Sequence, residues 1–126
     1  MRSVDTNVLV RLIARDDPRQ TAAAEMFISS GAWVSHLVLA ETIWVLESVY
    51  DRTARQLANA VEMLLAHAQL TIQDEEVVAA ALARFQKKPS LSFSDCLILE
   101  IARKAGPVPL GTFDRGRAKQ DGAVKI

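Results

Sequence analysis

Short apolar runs alternate with segments of helical period along the whole chain, and that alternation limits the fold more than any single residue does. The strand-like runs are Ser3-Val4, Ala32-Trp33-Val34-Ser35, Leu70-Thr71-Ile72, Val108 to Thr112 and Val124-Lys125-Ile126. Helical segments fall between them, with their signals for starting and stopping. Thr6 or Asn7 can cap a first helix through Val8 to Ile13, and Asp16-Asp17-Pro18 ends it and opens the next. Leu37 to Tyr50 is apolar on nearly every side and is expected to be well buried. Thr53-x-x-Gln56 has the capping-box pattern, Asp74 is expected to cap a helix over Val77 to Phe85, and Ser92-x-x-Asp95 repeats the box-like spacing before Leu97 and Ile98. Gly106-Pro107 stops that last helix. Strands alternating with helices predict an α/β sandwich around a short, mostly parallel sheet.

Length suits one domain: 126 residues, half of them hydrophobic and 24% charged, are enough for a core without a metal or disulfide staple. Cys96 is the single cysteine, so no internal disulfide is possible, and a cytoplasmic protein is the expectation. The longest uncharged stretch, Met26 to Ala40, falls short of the roughly 20 residues of a membrane span. The net charge is zero, yet it is unevenly distributed. Residues 1–83 carry six basic and eleven acidic groups, and residues 84–126 carry nine basic and four acidic, which can mark a face for a polyanion.

Four carboxylates sit apart from the solvated majority. Asp5 and Asp114 each follow an apolar strand, where open parallel sheets bind ligands. Glu41 interrupts an apolar helix, and Asp95 opens another just after Phe93-Ser94. Each has a structural reading of its own: a cap or turn for Asp5, a type I turn with Arg115-Gly116 for Asp114, a capping partner for Asp95, a solvated edge for Glu41. Together they form a set of hard oxygen ligands suited to Mg²⁺ or Mn²⁺. The histidines, His36 and His67, lack zinc-ligand spacing with Cys96, which reads as a core residue. Trp33, Trp44 and Phe27 read as core too, and no nucleotide-binding glycine loop is present.

In this order the motifs resemble the PIN-domain ribonucleases, and among them the VapC-type toxins of prokaryotic toxin–antitoxin pairs. Val4-Asp5-Thr6-Asn7-Val8-Leu9, Val34-Ser35 with Leu39-Ala40-Glu41, Phe93-Ser94-Asp95-Cys96-Leu97-Ile98 and Gly111-Thr112-Phe113-Asp114-Arg115 are similar to the family's four motifs. The resemblance implies a single PIN domain over residues 1–126, a three-layer sandwich with a short, mostly parallel sheet flanked by helices. It implies a Mg²⁺- or Mn²⁺-dependent endoribonuclease with one or two ions held by Asp5, Glu41, Asp95 and Asp114, steadied by Asn7 and Thr112. Cys96 stands where the family commonly has alanine, and Arg115-Gly116-Arg117 stands where some relatives carry a further acid. Candidate phosphate contacts are Arg11, Arg15, Arg115, Arg117 and Lys119. The partners implied are RNA, a small antitoxin and a second copy of the chain.

Three other readings compete with this one. A phosphoacceptor receiver domain needs a mid-chain Asp after a central strand, and residues 53–70 read as helix without one. A PIN-fold module that binds RNA or protein without cutting shares the fold, and a histidine-based ribonuclease would use His36 and His67.

Overall fold

The computed structural model describes residues 1–126 as two compact units, Met1–Glu75 and Glu76–Ile126. The first unit holds β1 (Arg2–Ser3), α1 (Thr6–Ala14), α2 (Pro18–Ile28), β2 (Ala32–Val34), α3 (His36–Ser48), α4 (Ala54–Ala66) and β3 (Leu70–Ile72). Its strands pair in the order β1-β2-β3, all parallel, with Ala32 facing Arg2 on one side and Leu70 on the other. Each parallel step requires a crossover, and the helix pairs α1–α2 and α3–α4 provide them. The ends of all three strands therefore point the same way. Asp5, Ser35 and Gln73 follow them at the edge where α1 and α3 begin.

Local signals account for most boundaries. Asp17 caps α2 with Pro18 at its first position. The Thr53–Gln56 capping box closes reciprocally, each side chain bonded to the other residue's backbone N–H. Of the caps the sequence offers α1, the structure uses Asp5 rather than Thr6 or Asn7, so the helix takes in Thr6 and buries it.

The aromatic side chains also depart from expectation. Trp33 and Phe27 are each 37% exposed and Trp44 is 63% exposed, so none of the three belongs to the core. In β2 the period of two sends Ala32 and Val34 inward and Trp33 outward. In α3 the buried residues are Leu39, Thr42, Ile43 and Leu46, the i, i+3, i+4, i+7 stripe of one helical face. Leu37 and Trp44 lie off that stripe and are exposed. A thirteen-residue helix packed on one side has one buried face however apolar its sequence. Phe27 instead carries the Arg2 guanidinium 4.5 Å from its ring centroid.

The second unit holds α6 (Phe93–Ala105), β4 (Leu110–Thr112), α7 (Arg115–Ala118) and β5 (Ala123–Lys125), with most of α5 (Glu75–Lys87). Strands β4 and β5 pair in parallel, Gly111 facing Val124. Val77, Val78, Ala81, Leu82 and Phe85 form the buried face of α5, as their spacing predicts. Phe85 meets Phe93 edge to face at 6.1 Å. Asp74, the expected cap of α5, instead takes a left-handed backbone with φ of 43°, unlike the extended conformation of a capping residue. Ser92 caps α6 through the Asp95 N–H, and Gly106 ends it with φ of 105°. No helix is long and apolar enough to cross a membrane.

Candidate active site

Asp5 leaves β1 in extended conformation, and its carboxylate accepts from the Val8 N–H at 3.3 Å, satisfying a free donor of the first turn of α1. The side chain remains exposed at the positive end of the helix dipole. Thr6 turns inward, and its hydroxyl donates to Oε1 of Glu41 on α3. Two carboxylates therefore meet the first turn of one helix, Asp5 through backbone and Glu41 through Thr6. Asn7, the next residue, is exposed. An open groove of about 790 Å³ beside this turn is lined by Asp5, Asn7, Arg11, Gln20, Phe27 and Val38, among others.

The basic candidates of this unit are already engaged. Arg11 donates to Gln20 at 2.6 Å, to Asp16 at 3.0 Å and to the Tyr50 hydroxyl at 3.2 Å. The Tyr50 hydroxyl also donates to Asp16, and this bond, with a backbone hydrogen bond and then Arg11 behind it, holds the Asp16 carboxyl below its ordinary range. Arg15 pairs with Glu25 at 2.6 Å and lies past the far end of α1, roughly 14 Å of helix from the Asp5 turn.

In the second unit the acids gather around α7. Thr112 is buried at the end of β4, and its hydroxyl accepts from the Asp114 N–H at 3.0 Å. Asp114 caps α7, accepting from the Arg117 N–H at 2.8 Å. Arg117 in turn sends its Nε to Oδ1 of Asp95, 2.6 Å away, where the Asp95 side chain is only 13% exposed. Neither atom is aligned for a hydrogen bond, so the contact is an ion pair without its directional component. Arg115 and Lys119 are exposed on the same segment.

Cys96, beside Asp95, is buried, and burial pushes its thiol up to about 11. It is a protonated core residue rather than a nucleophile. His36 opens α3 after β2, and His67 closes α4 before β3. In a parallel sheet these are opposite ends, which argues against a histidine acid–base pair.

The structure thus places Asp5, Asn7 and Glu41 about one helix start, and Thr112, Asp114, Asp95 and Arg117 about another. No group of three or more His, Cys, Asp or Glu stands ready to hold a metal ion. Two roles were not legible in the sequence. Thr6 has its partner 35 residues away, and Arg117, expected as a phosphate contact, faces Asp95; no local spacing signals either contact.

No curated protein and no solved structure matches the chain. The family model of the PIN domain matches residues 3–122, a span that includes all four acidic motifs and both units. PIN domains are typically metal-dependent nucleases. With a match over nearly its whole length, the chain belongs to the PIN-domain family.

Proposed function

We propose that the protein is a Mg²⁺- or Mn²⁺-dependent endoribonuclease that hydrolyses RNA phosphodiester bonds and acts as a VapC-type toxin of a prokaryotic toxin–antitoxin pair. The observation that carries this reading is the family match spanning Asp5, Glu41, Asp95 and Asp114 in order.

The donor chemistry fits a divalent ion. All four candidates are carboxylates, the hard oxygen ligands such ions prefer. Oδ1 of Asp95 is buried and lacks a hydrogen bond, and the cation it faces is the Arg117 guanidinium at 2.6 Å. Asp5, Glu41, Asp95 and Asp114 would hold the ion or ions. When bound, such an ion supplies Lewis acidity towards a water and a phosphoryl oxygen.

The chain's own residues supply the rest. Thr6 fixes the rotamer of Glu41, and the backbone N–H of Val8 fixes Asp5. Thr112 orients the turn that presents Asp114. Arg115, Arg117 and Lys119 give positive charge next to Asp114, where a polyanion has to be held against carboxylate repulsion. Leu37, Trp44 and Phe27 leave apolar side chains at the surface, which support the expectation of an antitoxin and a second copy as partners.

Purified protein incubated with total cellular RNA and Mn²⁺ tests the reading, with EDTA and Asp5→Asn as controls. Discrete fragments that vanish in both controls are expected. Cutting that persists in EDTA would overturn the metal-dependent reading. No cutting, together with no divalent-ion binding by calorimetry, would favour a PIN-fold module that binds without cleaving.

A further inference from the structure

We propose that Arg117 is a resident counter-ion of Asp95, and that a divalent cation must displace its guanidinium to reach this carboxylate. The inference deepens the metal-dependent reading above and rests on it.

Two ion pairs of the second unit show the contrast. Arg84 meets Glu100 with two donors on one oxygen, at 3.1 and 2.8 Å, and both side chains are largely covered. That pair joins α5 to α6 and has the alignment of a structural contact. Arg117 meets Asp95 at 2.6 Å with neither atom in hydrogen-bonding alignment. Close approach without alignment supplies charge neutralisation and little direction, which is what a placeholder for a spherical cation needs.

The surroundings allow the exchange. Asp95 is fixed in the first turn of a thirteen-residue helix, so the carboxylate stays in place. Arg117 stands on α7, four residues long and without buried residues, and its side chain is 41% exposed. A divalent ion and a guanidinium cannot share one carboxylate oxygen without strong repulsion, so binding of one releases the other.

Manganese titration of the metal-free protein by calorimetry tests this, using wild type, Arg117→Gln and Arg115→Gln. Arg115 is on the same helix and exposed, so its substitution makes the same change in net charge without touching Asp95. Arg117→Gln is expected to bind Mn²⁺ about fivefold more tightly than wild type, the equivalent of ~1 kcal/mol, and Arg115→Gln less than about twofold. Equal effects of the two substitutions, or weaker binding by Arg117→Gln, would overturn the proposal while leaving metal dependence intact. Absence of binding in every variant would overturn both.

A second measurement needs no variant. The Nε–H resonance of Arg117 in ¹⁵N-labelled wild type is expected to shift on saturation with Mg²⁺ while that of Arg84 stays fixed. An unmoved Arg117 resonance in protein that binds Mg²⁺ would contradict displacement.

Discussion

The two units carry carboxylates of the same chemical type and hold them by different means. In Met1–Glu75, Asp5 and Glu41 are held by neutral donors, the Val8 amide and the Thr6 hydroxyl. These orient the carboxylates and leave their charge in place. In Glu76–Ile126, Asp95 is covered by a guanidinium that cancels its charge. Dipoles at a helix start can position a ligand for a cation, whereas a counter-ion has to be exchanged. Asp5 and Glu41 therefore offer exposed charge, as does Asp114, which caps α7 through the Arg117 N–H, whereas the charge of Asp95 is already neutralised.

The largest effects should come from removing the charges. Asp5→Asn and Asp95→Asn are each expected to lower Mn²⁺-dependent RNA cleavage by roughly 100-fold or more, the scale of losing several kcal/mol of metal-assisted stabilisation. Their thermal melts should differ. Asn caps a helix as well as Asp does, so Asp5→Asn should leave the melting temperature almost unchanged. Asp95→Asn leaves Arg117 without its partner and should lower it. Equal shifts in melting temperature would break the distinction between the units.

Thr6→Val keeps the shape of the side chain and removes the donor to Glu41. A fall in kcat/KM of about tenfold is expected, in line with ~1.5 kcal/mol for a lost hydrogen bond to a charged group. Unchanged kcat/KM would mean that Glu41 does not need this bond.

Asp5→Ala sharpens the same point, because it removes cap and charge together. It should cost about 1 kcal/mol of stability that Asp5→Asn does not, read from denaturant melts. The corresponding loss at Asp114 should be smaller, since α7 has only four residues to lose.

The smallest effect concerns pH. The Tyr50 hydroxyl bond is the largest cause lowering the folded-state pKa of Asp16, so the contribution is present above the unfolded value of about 3.9 and is lost as pH falls through the folded one. Tyr50→Phe should melt below wild type at neutral pH and converge on it at acidic pH. A gap that persists below pH ~2 would assign the effect to packing instead.

Signals that act over three or four residues were legible in the sequence. Pro18 after Asp17, Thr53 with Gln56, Ser92 before α6 and Gly106 after it all mark boundaries that the structure keeps. β3 falls on Leu70–Ile72 as read. Solvent exposure was less legible, because hydrophobicity does not say which face of a helix has a neighbour. Trp44 and Leu37 show this on α3. Contacts between distant residues were least legible. The candidate acids stand out by their odd positions and by resemblance, but Thr6 to Glu41 and Arg117 to Asp95 join segments whose spacing in sequence carries no period.

We propose that Asp5 and Asp95 are each needed for the metal-dependent activity. Mn²⁺ calorimetry on wild type, Asp5→Asn and Asp95→Asn tests it most directly. Wild type is expected to bind, and each substitution alone to abolish or strongly weaken binding. Loss with Asp95→Asn together with wild-type affinity in Asp5→Asn would contradict the account.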